Sequence, residues 1–295
     1  MQEDDKTKAR LGLLAAFSAY FIWGLFPIYM KALDGVNVYE IITYRIIWSV
    51  PTAAIVLLFI KRWGAFLKAF QSARVLMMAA LTSILITGNW TVYAWAIINN
   101  HTVDAALGYY INPLFSVLLG SVFLHEKLNR WQWIAIFCAA IAVLILTINA
   151  GGLPLVAIIL PITFGLYGFF RKSLPIGPSE GFMLETVILF IPALCVAGYF
   201  IYSGQDHFFH GPLSDTLLLI GSGPMTAVPL ILFAFGAKKL KLSTLGLMQY
   251  VAPTFLFLIA VFVFREPFSF VQLIAFILIW IGLGIYTYAS LKKAK

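Results

Sequence analysis

Ten apolar stretches, each close to the length of a bilayer-spanning helix, fill nearly all of this 295-residue chain. They run over 11–30, 40–60, 75–98, 102–124, 131–148, 153–170, 179–202, 216–235, 242–264 and 268–290. Roughly 20 apolar residues carry an α-helix across the hydrocarbon layer. In lipid every backbone N–H and C=O must be satisfied internally, which leaves helices as the spanning element at these lengths. The connections are too short to hold a soluble domain. The expected fold is therefore an all-α integral membrane protein with ten transmembrane helices.

Composition agrees. The chain is 62% hydrophobic and 11% charged, against about 45–50% and 25% for soluble domains, and its mean hydropathy is +0.94. The pI near 9.4 would suit a nucleic-acid binder, but the basic residues sit in the short turns between apolar runs. That placement is the mark of membrane orientation, so no nucleic-acid partner is expected. Seventeen of the twenty Lys and Arg fall on one side of a ten-span topology. Lys31 and Arg265 lie on the other, and Arg45 lies inside a span. The positive-inside rule then puts both termini in the cytoplasm. Residues 1–10 and 291–295 are read as cytoplasmic tails, and no cleavable signal peptide is evident. The two cysteines, Cys138 and Cys195, lie within apolar runs and form no legible disulfide or metal site.

The chain also repeats itself. Shifting by 140 residues brings LGYYINPLFSVLLGSVFLHEKLNRWQWIA (107–135) onto LMQYVAPTFLFLIAVFVFREPFSFVQLIA (247–275) without a gap. Tyr110, Pro113, Glu126 and Gln132 meet Tyr250, Pro253, Glu266 and Gln272. The same shift carries Glu40 onto Glu180 and Lys31 onto Arg171. Two five-helix repeats, 11–149 and 150–290, follow. Five is odd, so the second repeat must sit upside down relative to the first. Inverted repeats are the hallmark of secondary transporters that rock around a site near the membrane midplane.

Polar residues inside the spans are few. The third span carries Thr82, Ser83, Thr87, Asn89, Trp90 and Tyr93 on two adjacent helical stripes. They read either as a cavity wall, with Asn89 hydrogen-bonding a solute and Trp90 and Tyr93 stacking on it, or as interhelical packing. In the fourth and ninth spans Pro113 and Pro253 each remove a backbone donor and are expected to kink the helix. Tyr109, Tyr110, Asn112, Gln249 and Tyr250 surround these prolines and are the candidate solute-binding set. Among ionisable groups, Glu40, Asp104 and Glu180 open their helices, where capping suits a carboxylate. Arg45 and Glu185 lie more than a turn inside, at equivalent positions of the two repeats. Glu40 or Asp104 is expected to neutralise Arg45, and Arg171 or Lys172 to neutralise Glu185. Intramembrane charges default to functional candidates, so Glu40, Arg45, Asp104 and Glu185 are carried as coupling or gating charges, with Glu185 the candidate for proton coupling. Glu126 and Glu266 are read as starting the helices that follow them. No HExxH, CxxC or Walker-type loop and no nucleophile set appears, so no enzyme, metal or cofactor is expected.

The runs AYFIWGLFPIYMKAL (19–33), EIITYRIIWS (40–49), NWTVYAWAIINNHTVDAALGYYINPL (89–114), TAVPL (226–230) and LSTLGLMQYVAPTFLF (242–257) resemble the RarD-type permeases. These are a branch of the EamA family in the drug/metabolite transporter superfamily. The resemblance implies two inverted five-helix repeats in a bacterial inner membrane. It implies a central cavity lined mainly by helices 1, 3, 4, 6, 8 and 9, and it adds Trp23 and Trp48 to the solute-binding candidates. Superfamily members move amino acids, other metabolites and drugs, commonly outward. Asp104 departs from the Glu expected at its position. The expectation is a permease for a small aromatic or amphipathic metabolite, working by alternating access, with the lipid bilayer and a small molecule as partners. A homodimer is left open. The alternative is a non-transporting receptor or assembly protein on the same scaffold.

Overall fold

The structure of the chain, a computed structural model, describes residues 2–124, 128, 130–150, 153–239 and 248–293. All regular structure among them is helical: α1 (Gln2–Lys31), α2 (Val38–Phe59), α3 (Trp63–Ala69), α4 (Ala73–Ile98), α5 (Thr102–Leu124), α6 (Arg130–Ala150), α7 (Leu155–Ser173), α8 (Pro178–Ser203), α9 (His207–His210), α10 (Leu213–Lys239), α11 (Val251–Leu258) and α12 (Phe270–Lys293). Among the described residues, six helices are long and apolar enough to cross a membrane, within α1, α2, α4, α6, α8 and α10. Shorter apolar helices cover Leu155–Arg171, Val251–Val263 and Phe270–Ile285. The surface is greasy in the way lipid requires, with Ile84 68% and Ile191 71% exposed, where a water-soluble monomer avoids broad apolar patches.

Three features depart from the sequence expectation. α1 begins at Gln2, so the segment expected as a tail is helical. The connections after α2 and α8 hold short helices, α3 and α9, which end-cover the bundle. In the ninth span, α11 runs directly into a π-helical turn, Ile259–Val263. The first residues of that span, 242–247, lie outside the described residues, as do Glu126 and His125.

Helix ends follow local chemistry. Asn37 caps α2 by accepting the Tyr39 N–H at 2.9 Å, and Ser72 caps α4 by accepting that of Val75. Lys61, Asn100 and Gly204 adopt positive φ just after α2, α4 and α8. In each case the following N–H reaches back across the last turn, as Arg62 does to the Leu57 carbonyl at 2.9 Å, which closes the helix with a left-handed cap.

Packing pairs α6 with α12, α2 with α8 and α5 with α11. It also matches α1·α10 with α4·α7, α5·α7 with α1·α11, and α2·α10 with α4·α8. Glycines sit at the closest crossings. A Cβ on Gly223 of α10 would lie 2.3 Å from the Trp48 backbone carbon, and one on Gly236 would lie 3.0 Å from the Gly12 carbonyl oxygen. Gly108 similarly meets Ala157, and Gly282 meets Ala135. Small residues let backbones approach where lipid supplies no hydrophobic drive between helices.

Glu266 corrects one expectation. It does not start the next helix: Ser269 and Gln272 do, each side chain accepting the other's backbone N–H at 2.8 and 3.1 Å in a capping box. Glu266 instead accepts the N–H groups of Thr102 and Val103, both at 3.1 Å, at the first turn of α5. A carboxylate at a helix N-terminus satisfies orphan donors and meets the positive end of the dipole. Glu266→Ala is expected to cost about 1–2 kcal/mol, the worth of a lost N-cap. Unfolding in detergent micelles checks it, and unchanged stability would remove the cap from the account.

Candidate functional site

Two buried polar stations occupy equivalent depths of α2 and α8. Arg45 is seven residues inside the start of α2 and Glu185 seven inside α8, each about 10 Å along its helix at 1.5 Å per residue.

The Arg45 station is built from five helices, α1, α2, α4, α5 and α10. Its guanidinium carbon lies 4.2 Å from the Trp90 ring centroid on α4 and 4.9 Å from that of Phe26 on α1. Its Nε donates to Thr226 Oγ1 on α10 at 2.7 Å, and that hydroxyl donates onward to the Ser222 carbonyl. Phe26 stacks on Tyr29 and Tyr93 at 5.7 and 6.1 Å, and Tyr93 meets Tyr109 edge-on at 5.8 Å. Tyr29 donates to the Leu218 carbonyl across to α10. Arg45 is only 5% exposed, and its Nη1 has no hydrogen-bond partner among the described residues. A centrally placed charge costs roughly 2.5–3.5 kcal/mol on insertion scales. A desolvated cation–π contact returns about 2 kcal/mol, which offsets that cost without an acid.

The expected neutralising acids are elsewhere. Glu40 accepts the His207 backbone N–H at 2.7 Å and that of Phe208 at 3.3 Å, and its other oxygen lies 2.9 Å from His207 Nδ1. It caps α9, not its own helix and not Arg45. Five residues separate Glu40 from Arg45, which at 100° per residue turns them to different faces of α2. Asp104 lies 3.1 Å from His101 Nδ1. Glu180 is held by Arg62 Nε at 2.6 Å, an ion pair in place of the expected cap.

The Glu185 station is the opposite case. Its Oε1 accepts Thr82 Oγ1 at 2.7 Å and lies 3.4 Å from Arg171 Nε, and its Oε2 accepts the Tyr167 hydroxyl at 3.2 Å. Of the two cations expected there, Arg171 makes the pair. Glu185 is 2% exposed, so the carboxylate is buried but well supplied with donors.

The other candidates separate. Trp90, Tyr93 and Tyr109 gather at Arg45. Asn89 does not present a free amide: its Nδ2 donates to the Leu160 carbonyl at 3.0 Å and to Thr163 Oγ1 at 2.9 Å, and its Oδ1 accepts Tyr109. In this conformation it ties α4 to α7. Tyr110 turns to α11 and α12, bonding Thr254 Oγ1 at 2.7 Å and facing Phe276 and Trp280. Trp23 packs with Tyr20 and Phe233 in the α1–α10 seam. Trp48 stacks on Phe208 of α9, and its buried indole N–H has no partner among the described residues. Asn112 is buried within α5, beside Pro113 in the chain, and Gln249 and Tyr250 are half-buried just before α11. Phe26, Tyr29, Thr226 and Tyr167 are the side chains that sequence reasoning missed. Thr226 stood in the quoted TAVPL run, and Phe26 and Tyr29 stood in the quoted run over 19–33, on either side of Pro27. A separate cavity of about 650 Å³ opens beside α4, α6, α7 and α12, between Tyr39, Trp95, His101, Asp104, Asn149 and Gln272. The Arg45 cluster does not line it.

Long apolar helices enclosing buried polar stations define a polytopic membrane protein, the class that includes solute transporters. Residues 10–148 match the EamA-like transporter family. An uncharacterized transporter of Vibrio cholerae is 40% identical over 98% of this chain and 95% of its own length. Protein RarD of Escherichia coli is 37% identical over 96% and 95%, and the uncharacterized transporter YojE of Bacillus subtilis is 40% identical over 97% and 96%. A solved crystal structure at 18% identity superposes with a TM-score of 0.60 over 96% of this chain, a likeness of fold alone. The chain belongs to the EamA-like transporter family, within the drug/metabolite transporter superfamily.

Proposed function

We propose that this chain is a permease that moves a small aromatic or amphipathic solute, more readily outward than inward, across a bacterial inner membrane by alternating access. Ten spans form two inverted five-helix repeats, with both termini in the cytoplasm. The observation that carries the reading is the exchange of partners in the packing. When each helix of the first half is replaced by its counterpart in the second, α1·α10 becomes α7·α4, α5·α7 becomes α11·α1, and α2·α10 becomes α8·α4. Such an exchange is what a two-fold relation between the halves produces, and with an odd number of helices in each half it supports an axis in the membrane plane about which they rock. Arg45 and Glu185, at equivalent positions, then fall in the outer and inner halves of the membrane. Trp90, Tyr93 and Tyr109 supply the aromatic wall, with Asn112, Gln249 and Tyr250 lining the deeper path beside the paired prolines. Release of Asn89 from Leu160 is part of the opening, since α4 and α7 must part.

Purified protein in liposomes is expected to move at least one solute from a panel of amino acids, vitamins and drugs. Trp90→Ala and Asn112→Ala are each expected to lower that flux by about tenfold or more, the effect of removing a stacking surface or a buried polar contact worth upwards of 1.4 kcal/mol. Folded variants that transport as wild type would sink the site. No flux and no solute-dependent thermal shift across the panel would favour a non-transporting role.

A further inference from the structure

The buried acids and the buried base are treated differently by this fold. Glu185 has Arg171, Glu180 has Arg62, and Glu40 has His207. Arg45 faces no carboxylate within ion-pair distance among the described residues, and its Nη1 is an unpartnered donor in a residue that is 5% exposed. The aromatic contacts engage the flat faces of a guanidinium, and the N–H groups radiate in its plane. Stacked at 4.2 Å on Trp90 and bonded through Nε to Thr226, Arg45 keeps its Nη1 edge in reserve. Phe26 and Trp90 lie over its faces, Tyr29 and Tyr93 stack on Phe26 in turn, and Tyr109 meets Tyr93 edge-on.

We infer that Arg45 is the receptor for a solute carboxylate, and that the solutes handled here are monocarboxylates with an aromatic or broad apolar body. This rests on the permease reading. A carboxylate oxygen can accept from the unpartnered Nη1, and ionised partners make the strongest hydrogen bonds. One cation balances one negative charge. A phosphate dianion would bring a second charge into a site where the described residues offer no second cation, and burying it unpaired is prohibitive. The ring-lined surroundings then take the solute body by stacking. A solute cation has no acid to meet at this station, so simple amines are excluded from it.

The test uses the full chain in lipid nanodiscs and two probe pairs that differ only in carboxylate against amide: 3-phenylpropionate with 3-phenylpropionamide, and indole-3-acetate with indole-3-acetamide. Equilibrium dissociation constants are measured without any flux. Each carboxylate is expected to bind wild type at least about tenfold more tightly than its amide, the worth of one charge-assisted contact. Arg45→Gln is expected to abolish that preference, bringing the carboxylate and amide of each pair to within about threefold of each other. Arg45→Lys keeps the charge but loses the planar edge and the stacking face, and is expected to retain only part of it. That variant serves if Arg45→Gln does not fold. Equal binding of carboxylate and amide, no binding of any probe, or full preference in either variant overturns the assignment. A chain that binds carboxylates through Arg45 yet carries nothing keeps this inference and loses the permease. One that carries neutral solutes and ignores carboxylates does the reverse.

Discussion

Glu185→Ala is expected to cost about 3–5 kcal/mol of stability, the range found when one partner of a buried ion pair is removed. The carboxylate is 2% exposed and holds three helices together, accepting from Thr82 on α4 and Tyr167 on α7 and pairing with Arg171. Its loss leaves the Arg171 charge, in a side chain only 16% exposed, with the Pro178 carbonyl and no carboxylate. The Tyr167 hydroxyl must then find a new acceptor, while Thr82 falls back on the Ala79 carbonyl. The large effect comes from those unpaired leftovers more than from the net worth of the pair, since desolvation consumes much of the Coulombic gain. Glu185→Gln keeps an acceptor for Thr82 and should cost less. Arg171→Ala combined with Glu185→Ala should be less damaging than the two single effects added, because the double variant has no stranded charge. Unfolding in mixed micelles measures all four. A Glu185→Ala effect under about 1 kcal/mol, the size of an exposed pair, would mean the carboxylate is not buried as described.

The second large effect is expected at Gly223, where the substitution adds a single methyl group. Alanine there puts its Cβ 2.3 Å from the Trp48 backbone carbon and 2.4 Å from its carbonyl oxygen. Backbone has no rotamer to yield, so α2 and α10 must separate along their crossing. Overpacking of this kind costs about 1–3 kcal/mol and at times more, and Gly223→Ala should reach the upper end. It should also disturb Arg45, because Thr226 lies one turn further along α10 and bonds its Nε. Gly168 and Gly198 make the controls: nothing lies within 4 Å of an added Cβ at either. Alanine in those helices is expected to be neutral or to stabilise by about 0.4–1 kcal/mol through lost freedom of the unfolded chain. Similar behaviour at all three sites would show that the α2–α10 approach is looser than described.

The sequence carried the information that is local or periodic. Runs of apolar residues marked where helices lie, because insertion depends on length and hydropathy and not on neighbours. Arg45 and Glu185 stood out as embedded charges, and of the two cations named for Glu185, Arg171 makes the pair, while the side chain of Lys172 lies outside the described residues. The partners of the other polar groups were not legible. Glu40 reaches residue 207, Glu266 reaches residues 102 and 103, Asn89 reaches residues 160 and 163, and Arg45 reaches Thr226. These bonds join positions far apart in the chain, and each depends on how two helices are rotated and how closely they cross. Glycine contacts and side-chain volumes set that rotation, and neither has a period that can be read along one strand of text. The chain by itself determined that this protein lives in lipid as helices bearing a few embedded charges. Only the tertiary structure decided which of those charges are answered and which, at Arg45, is left open, because that choice is made between helices and not within them.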